Sequence, residues 1–114
     1  MTDCIFCKIA SGEIPGNIIY KDDLITAFHD IHPAAPVHIL VIPNKHIAST
    51  NELTEEDEPL MGYLLLSIKK IAEIVGIAEN GYRLVVNTGA NAHQAVPHLH
   101  VHILGGKNLV IPMG

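Results

Sequence analysis

Seven residues near the C-terminus, His98-Leu99-His100-Val101-His102-Ile103-Leu104, repeat with a period of two. Successive side chains of a strand point to opposite faces, so residues i and i+2 share a face about 6.8 Å apart. Read as a strand, the segment sets three imidazoles in a row on one side. Leu99, Val101 and Leu104 belong to the hydrophobic packing around that row, and Gly105-Gly106 ends it.

Such a strand calls for a sheet, and the chain offers four more β-like runs. Asn17–Tyr20 and Leu24–Asp30 flank the turn Lys21-Asp22-Asp23 and read as a hairpin. Val37–Pro43 is rich in β-branched residues and is closed by proline; Tyr82–Thr88 is the fourth. Residues 31–36 hold two prolines and form a loop, and Gly89 to Pro97 is a loop of small and polar residues. One long helix is expected over 54–75, with Leu60, Leu64, Ile68, Ile71 and Val75 at helical spacing. Thr54 is its expected N-cap, Glu55 to Glu58 suit the positive end of its dipole, and Gly76 is the stop. Residues 4–11 make one or two further helical turns. Five strands joined by hairpins and one long helix give an antiparallel α+β domain. With 114 residues there is room for one domain, 1–114.

Seven Lys and Arg against twelve Asp and Glu leave a net charge of −5, which argues against a nucleic-acid partner bound through a basic surface. Trp is absent and aromatics are few, which argues against base-stacking platforms. No apolar run approaches the ~20 residues of a membrane span, and the N-terminus has no signal-like stretch. A cytoplasmic protein with no membrane partner is expected. The eight His outnumber all Lys and Arg together.

A row of three imidazoles suits a metal site, a phosphate site, or a nucleophile with helpers. Cys4 and Cys7 form a C-x-x-C, which reads as redox or metal-binding. No βαβ pattern surrounds Cys4, so metal is the better reading if further ligands exist.

His98-x-His100-x-His102 followed by Ile103 and Leu104 resembles the histidine triad motif. The resemblance covers almost the whole chain: Cys4 to Lys8, Phe28-His29-Asp30, Pro36-x-His38, Val41-Ile42-Pro43-x-x-His46, Asn87, and Gln94 before the triad. The ending from His102 to Gly106 resembles the nucleotide-binding Hint branch of the histidine triad (HIT) superfamily. The resemblance implies a HIT-like fold, a five-stranded antiparallel sheet with one long and one short N-terminal helix, and a homodimer. It also implies hydrolysis of purine nucleoside phosphoramidates or aminoacyl and lysyl adenylates to AMP. A dinucleoside polyphosphate hydrolase is the alternative within the class. A zinc-stabilised nucleotide-binding protein with little turnover is the alternative outside it.

By position, His100 matches the nucleophile that would form a His–AMP intermediate. A neutral imidazole attacks phosphorus and leaves readily, so one hard displacement becomes two easier ones. His102 would donate to a phosphate oxygen, His98 would lie near the leaving group, and His38 would orient the triad or shuttle protons. Asp30 would accept from the ribose hydroxyls. Phe6, Ile9, Ile14, Phe28, His29 and Ile31 would wall the base. Asn87 and the backbone of His93, Gln94 and Ala95 would bind phosphate alongside His100 and His102. Cys4, Cys7, His46 and His98 match a four-ligand structural zinc site. Two positions depart from the branch: Ala95 stands where many members have a serine that helps the leaving amine, and His93 replaces a small residue.

Overall fold

The computed structural model describes residues 4–111. In chain order it contains α1 (Ile5–Ser11), β1 (Ile18–Lys21), β2 (Ile25–His29), β3 (Val37–Pro43), α2 (Glu58–Ile74), β4 (Tyr82–Val85) and β5 (Val101–Gly105). Single 3-10 turns occur at Thr50–Glu52, Glu55–Asp57 and Ala90–Ala92. The strands form one antiparallel sheet in the order β1-β2-β3-β5-β4.

Alternation along the central strands sorts the apolar residues onto two layers. Ile25, Ala27, Ile39, Val41, Val101 and Ile103 face α2 and pack with Leu64, Ile68, Ile71 and Ala72. Truncating one of these helix anchors, such as Ile68→Ala, costs about 2–5 kcal/mol through lost burial and the cavity left behind. Phe28, Leu40 and Ile42 face the other way and pack under α1, against Phe6, Ile9 and Ala10. The sheet is thus covered by one large and one small layer.

The expected helix over 54–75 divides in two. Its first turn is the 3-10 turn Glu55–Asp57, and α-helix proper starts at Glu58 with Pro59 second, where a missing N–H costs nothing. The capping runs backwards from Asp57, whose carboxylate accepts from the Thr54 amide at 3.0 Å and the Thr54 hydroxyl at 3.4 Å. The same carboxylate takes Lys45 Nζ at 2.6 Å, which ties the exit of β3 to the start of α2. Gly76, with φ +79°, supplies the left-handed residue after the helix end.

Two strands are shorter than expected. β5 begins at Val101, so His98, Leu99 and His100 precede it rather than lie in it. The reason lies in Leu99, whose amide donates to the Ile47 carbonyl at 2.7 Å, outside the sheet. β4 stops at Val85, paired with His102. Of the apolar tail, Pro112 and Met113 lie outside the described residues.

Candidate active site and metal cluster

β3 and β5 are neighbours in a register that pairs Leu40 with His102 and His38 with Leu104. His38, Leu40, Ile42 and His102 therefore share the α1 face. Phe6 from α1 stands edge-on to His100, with ring centroids 5.1 Å apart, and to His98 at 6.0 Å. His100 and His102 are 5.0 Å apart by centroid. His98 is fully buried, His38 and His100 are nearly so, and His102 is half-buried.

Backbone partners decide which ring nitrogen of each imidazole carries the proton. A carbonyl can only accept and an amide N–H can only donate. His100 Nδ1 lies 2.7 Å from the His98 carbonyl, so Nδ1 holds the hydrogen and Nε2 keeps its lone pair. The Ala34 amide donates to His38 Nδ1 at 3.0 Å, so the hydrogen of His38 is on Nε2. That Nε2–H donates to His102 Nδ1 at 2.9 Å, which places the His102 hydrogen on Nε2. The result is a lone pair on His100 beside an N–H donor on His102.

Burial favours the neutral forms of His38 and His102. Burial drives His102 down to about 4, reinforced by the neighbouring His100 and His38 and opposed by Asp30. Burial also lowers His38, against the pull of Asp30, whose Oδ2 lies 3.5 Å from His38 Nε2. The other Asp30 oxygen accepts the His32 amide at 2.7 Å and closes the turn into the proline loop. One carboxylate thus serves as turn cap and as the acidic end of the His38–His102 relay.

Cys4, Cys7, His46 and His98 meet on the far side of Phe6, with their ligand atoms all within 4.8 Å of one another. Cys4 Sγ is 3.3 Å and Cys7 Sγ 3.5 Å from His98 Nδ1, and Cys7 Sγ is 3.3 Å from His46 Nδ1. A tetrahedral zinc site with ordinary Zn–S and Zn–N bonds separates its ligand atoms by about 3.5 Å. The second shell fits as well. His98 Nε2–H donates to the Pro43 carbonyl at 2.8 Å, which leaves Nδ1 as a lone pair aimed at the thiols. Cys4 is the N-cap of α1 and its sulfur accepts the Cys7 amide at 3.3 Å. Burial, and then the Cys4 thiol, hold the Cys7 thiol above its ordinary range, so without a cation in the cluster it stays protonated.

Asp30, His38 and His102 also bring ligand atoms within 4.8 Å of one another. Their backbone partners oppose a metal there, because the Ala34 amide holds the His38 hydrogen on the nitrogen that would have to coordinate. Of the two clusters, the cysteine-containing one has no backbone partner that holds a hydrogen on a coordinating nitrogen.

The remaining sequence-derived candidates divide by position. His29 ends β2 next to Asp30 and is half-buried. Ile9 packs with Phe28, Leu40 and Ile42 as core behind Phe6, whereas Ile31 is 85% exposed and free to meet a ligand. Asn87, His93, Gln94 and Ala95 lie on the loop between β4 and β5. Some backbone donors of this loop are already engaged within it. The His93 amide donates to Ala90 at 3.0 Å and the Gln94 amide to Gly89 at 3.1 Å, so both are spent inside the loop. Among the described residues the Ala95 amide and the Asn87 side chain have no such partner. Backbone groups of Ala34, Pro43, Ile47 and Ala48 join the arrangement without any signal in their side chains.

The fold and this arrangement of histidines define a HIT-domain protein: residues 11–109 match the HIT domain family, and the chain belongs to it. The chain is 50% identical over 107 residues to the purine nucleoside phosphoramidase of Escherichia coli K12, covering 94% of this chain and 90% of that protein. It is 54% identical over 112 residues to a HIT-like protein of Synechococcus elongatus, covering 98% and 97% of the two chains. The crystal structure of a HIT family hydrolase from Legionella pneumophila superposes with a TM-score of 0.95 at 46% identity, over 98% of this chain and all of that one. No helix among the described residues is long and apolar enough to cross a membrane.

Proposed function

We propose that this chain is a nucleotide hydrolase of the histidine triad type that cleaves purine nucleoside phosphoramidates or acyl adenylates to AMP through a covalent His100–AMP intermediate. The observation that carries the reading is the 2.7 Å bond from His100 Nδ1–H to the His98 carbonyl, which leaves a fixed Nε2 lone pair on a nearly buried imidazole. In the first step that lone pair forms the N–P bond as the P–N or P–O bond to the leaving group breaks. The departing amine takes up a proton; a carboxylate leaves without one. In the second step water attacks phosphorus, the His100–phosphorus bond breaks, and AMP and a free imidazole result. Through both steps His102 Nε2–H donates to a non-bridging oxygen, held in that role by His38. Asn87 and the Ala95 amide are the loop groups left to hold phosphate oxygens, and Asp30, beside the relay, accepts from the ribose. The base meets Phe6, His29 and Ile31.

Zinc fits the Cys4–Cys7–His46–His98 cluster by distance and by second shell, and it would act as a structural clamp, closed by four protein ligands. The reading includes a single domain over 1–114 and a homodimer. The dimer is supported by exposed Leu65, Leu66 and Ile74 on α2 and Leu84 on the edge strand β4. It also includes a cytoplasmic setting, consistent with two free cysteines.

The test is turnover of an alkyl phosphoramidate of adenosine, an acyl adenylate and a diadenosine polyphosphate by the purified protein. Release of AMP from the first two, with a labelled nucleotide trapped on His100, is expected. Hydrolysis of the dinucleotide alone would turn the assignment to that class, and nucleotide binding without hydrolysis would remove the enzyme reading.

A further inference from the structure

Residues 46–48 serve three partners in succession. The His46 ring reaches Cys7 Sγ at 3.3 Å. The Ile47 carbonyl accepts the Leu99 amide at 2.7 Å. The Ala48 carbonyl accepts the side-chain amide of Gln94 at 2.8 Å. Gln94 also grips its own loop at both ends, donating to the Val96 carbonyl at 3.0 Å and accepting the Gly89 amide at 3.0 Å. Both N–H groups and the carbonyl oxygen of this half-buried side chain are therefore engaged within the protein. It spans from the loop that precedes the triad to the segment that carries a candidate metal ligand.

The loop is otherwise held by the His93 and Gln94 amides, bonded to Ala90 and Gly89, and by the Thr88 hydroxyl at Thr50. Its only regular element among the described residues is the turn Ala90–Ala92, and the next residue, His93, sits in the left-handed region at φ 58°. A side chain with a Cβ reaches that conformation at a cost, and it persists only where its surroundings enforce it. The bonds that Gln94 makes are part of those surroundings, beside the His93 amide's own bond to Ala90.

We infer that Gln94 is a positioning residue that couples the cysteine–histidine cluster to the phosphate-binding loop, so that metal and nucleotide bind cooperatively. The inference rests on the metal and nucleotide readings given above. Without a metal, the 46–48 segment is held at the cluster by soft sulfur–nitrogen contacts. Four coordinate bonds from Cys4, Cys7, His46 and His98 would confine it. Confinement passes through the Ala48 carbonyl to Gln94 and so to the loop. AMP then has less ordering left to impose, and by linkage the metal gains from AMP the same factor that AMP gains from the metal.

The experiment is a thermodynamic cycle. AMP is titrated calorimetrically into zinc-loaded and chelator-stripped protein, and zinc is titrated against a chromophoric chelator with and without saturating AMP. AMP is expected to bind about 5–20-fold more tightly to the loaded protein, with zinc gaining an equal factor in the presence of AMP. Gln94→Glu keeps an acceptor for Gly89 but has no N–H for Ala48 and Val96. It should still bind one zinc per chain while the coupling factor falls to within about twofold of one. Gln94→Met, uncharged and of similar length, should do the same and guards against an effect of the new charge. Equal AMP affinity with and without zinc in the wild type overturns the coupling and leaves the metal and nucleotide readings standing. Coupling that persists in both variants removes Gln94 from it. Failure to bind zinc at all, read from metal stoichiometry, or failure to bind AMP, overturns the corresponding reading and this inference together. A stripped protein without a cooperative melt also overturns it, since the clamp would then hold the whole fold rather than the loop.

Discussion

Two imidazoles stand in each of two clusters, His46 and His98 with the cysteines and His38 and His102 with Asp30, and in each the ligand atoms lie within 4.8 Å of one another. Composition alone would treat both as metal sites. The Pro43 carbonyl draws the His98 hydrogen outward and leaves a lone pair facing the thiols. The Ala34 amide does the reverse at His38, sending its hydrogen inward, along the relay to His102. Residue type and proximity therefore set the range of possible chemistry, and one backbone bond in each cluster, at His98 and at His38, selects from it. His100 lies between the clusters and takes its own orientation from the His98 carbonyl.

The widest separation between the clusters should appear in turnover. His100→Asn keeps size and polarity but cannot form the phospho-imidazole. It should lower kcat by at least about 10³-fold while AMP binding changes little. Steady-state rates and calorimetry on one preparation check this, and substantial residual turnover would move the nucleophile elsewhere. Cys7→Ala should act on stability instead. Metal analysis should find one zinc per wild-type chain and none in the variant, whose melting temperature should fall by on the order of 10 °C. Wild-type protein without metal, and with melting unchanged in Cys7→Ala, would remove the clamp.

Acid should weaken the relay cluster in its own way. His102 is held down to about 4 chiefly by burial, against an ordinary 6.5. Between those values the unfolded chain binds more protons than the folded one, so stability rises with pH across the window. The contribution is complete above about 6.5 and is lost as the pH falls through about 4. Because His102 is only half-buried, the loss is about 1–2 kcal/mol after allowance for solvent screening. Denaturant unfolding of Cys7→Ala protein at pH 7 and pH 4.5 isolates it from metal release, and His102→Gln should flatten the slope. An equal slope in that variant would assign the acid loss to other groups. The smallest effect belongs to Ala95. A serine there would assist an amine leaving group more than a carboxylate. Ala95→Ser should therefore raise kcat/KM for an alkyl phosphoramidate by less than the ~10²-fold of full general-acid help and leave an acyl adenylate nearly unchanged. Equal effects on both substrates would mean that this position has no part in leaving-group departure.

Much of the architecture was legible in the chain. The β-branched run from Val37 to Pro43 and the alternation from Val101 to Leu104 mark two neighbouring strands, and the spacing from Leu60 to Val75 marks the helix that covers them. The boundaries were less legible. The 98–100 segment alternates like a strand yet lies outside the sheet, because one amide, that of Leu99, found a carbonyl at Ile47. The hydrogen bonds that shape the loop were not legible for a related reason. His93 and Gln94 spend their amides on Ala90 and Gly89, and the Gln94 side chain binds Ala48, nearly fifty residues upstream.

By itself the sequence determined which side chains are available and on which face of a strand they fall, since both follow from residue identity and a fixed period. It thereby determined the sheet, the helix, the triad and the supply of two thiols. The tertiary structure alone decided which nitrogen of each histidine holds its hydrogen, and so which cluster can take a metal and which can relay a proton. Nearly every residue carries the same backbone donor and acceptor, so no pattern of side chains records which carbonyl or amide will stand against a given ring; only the packed chain brings Ala34, Pro43 and the His98 carbonyl to their places.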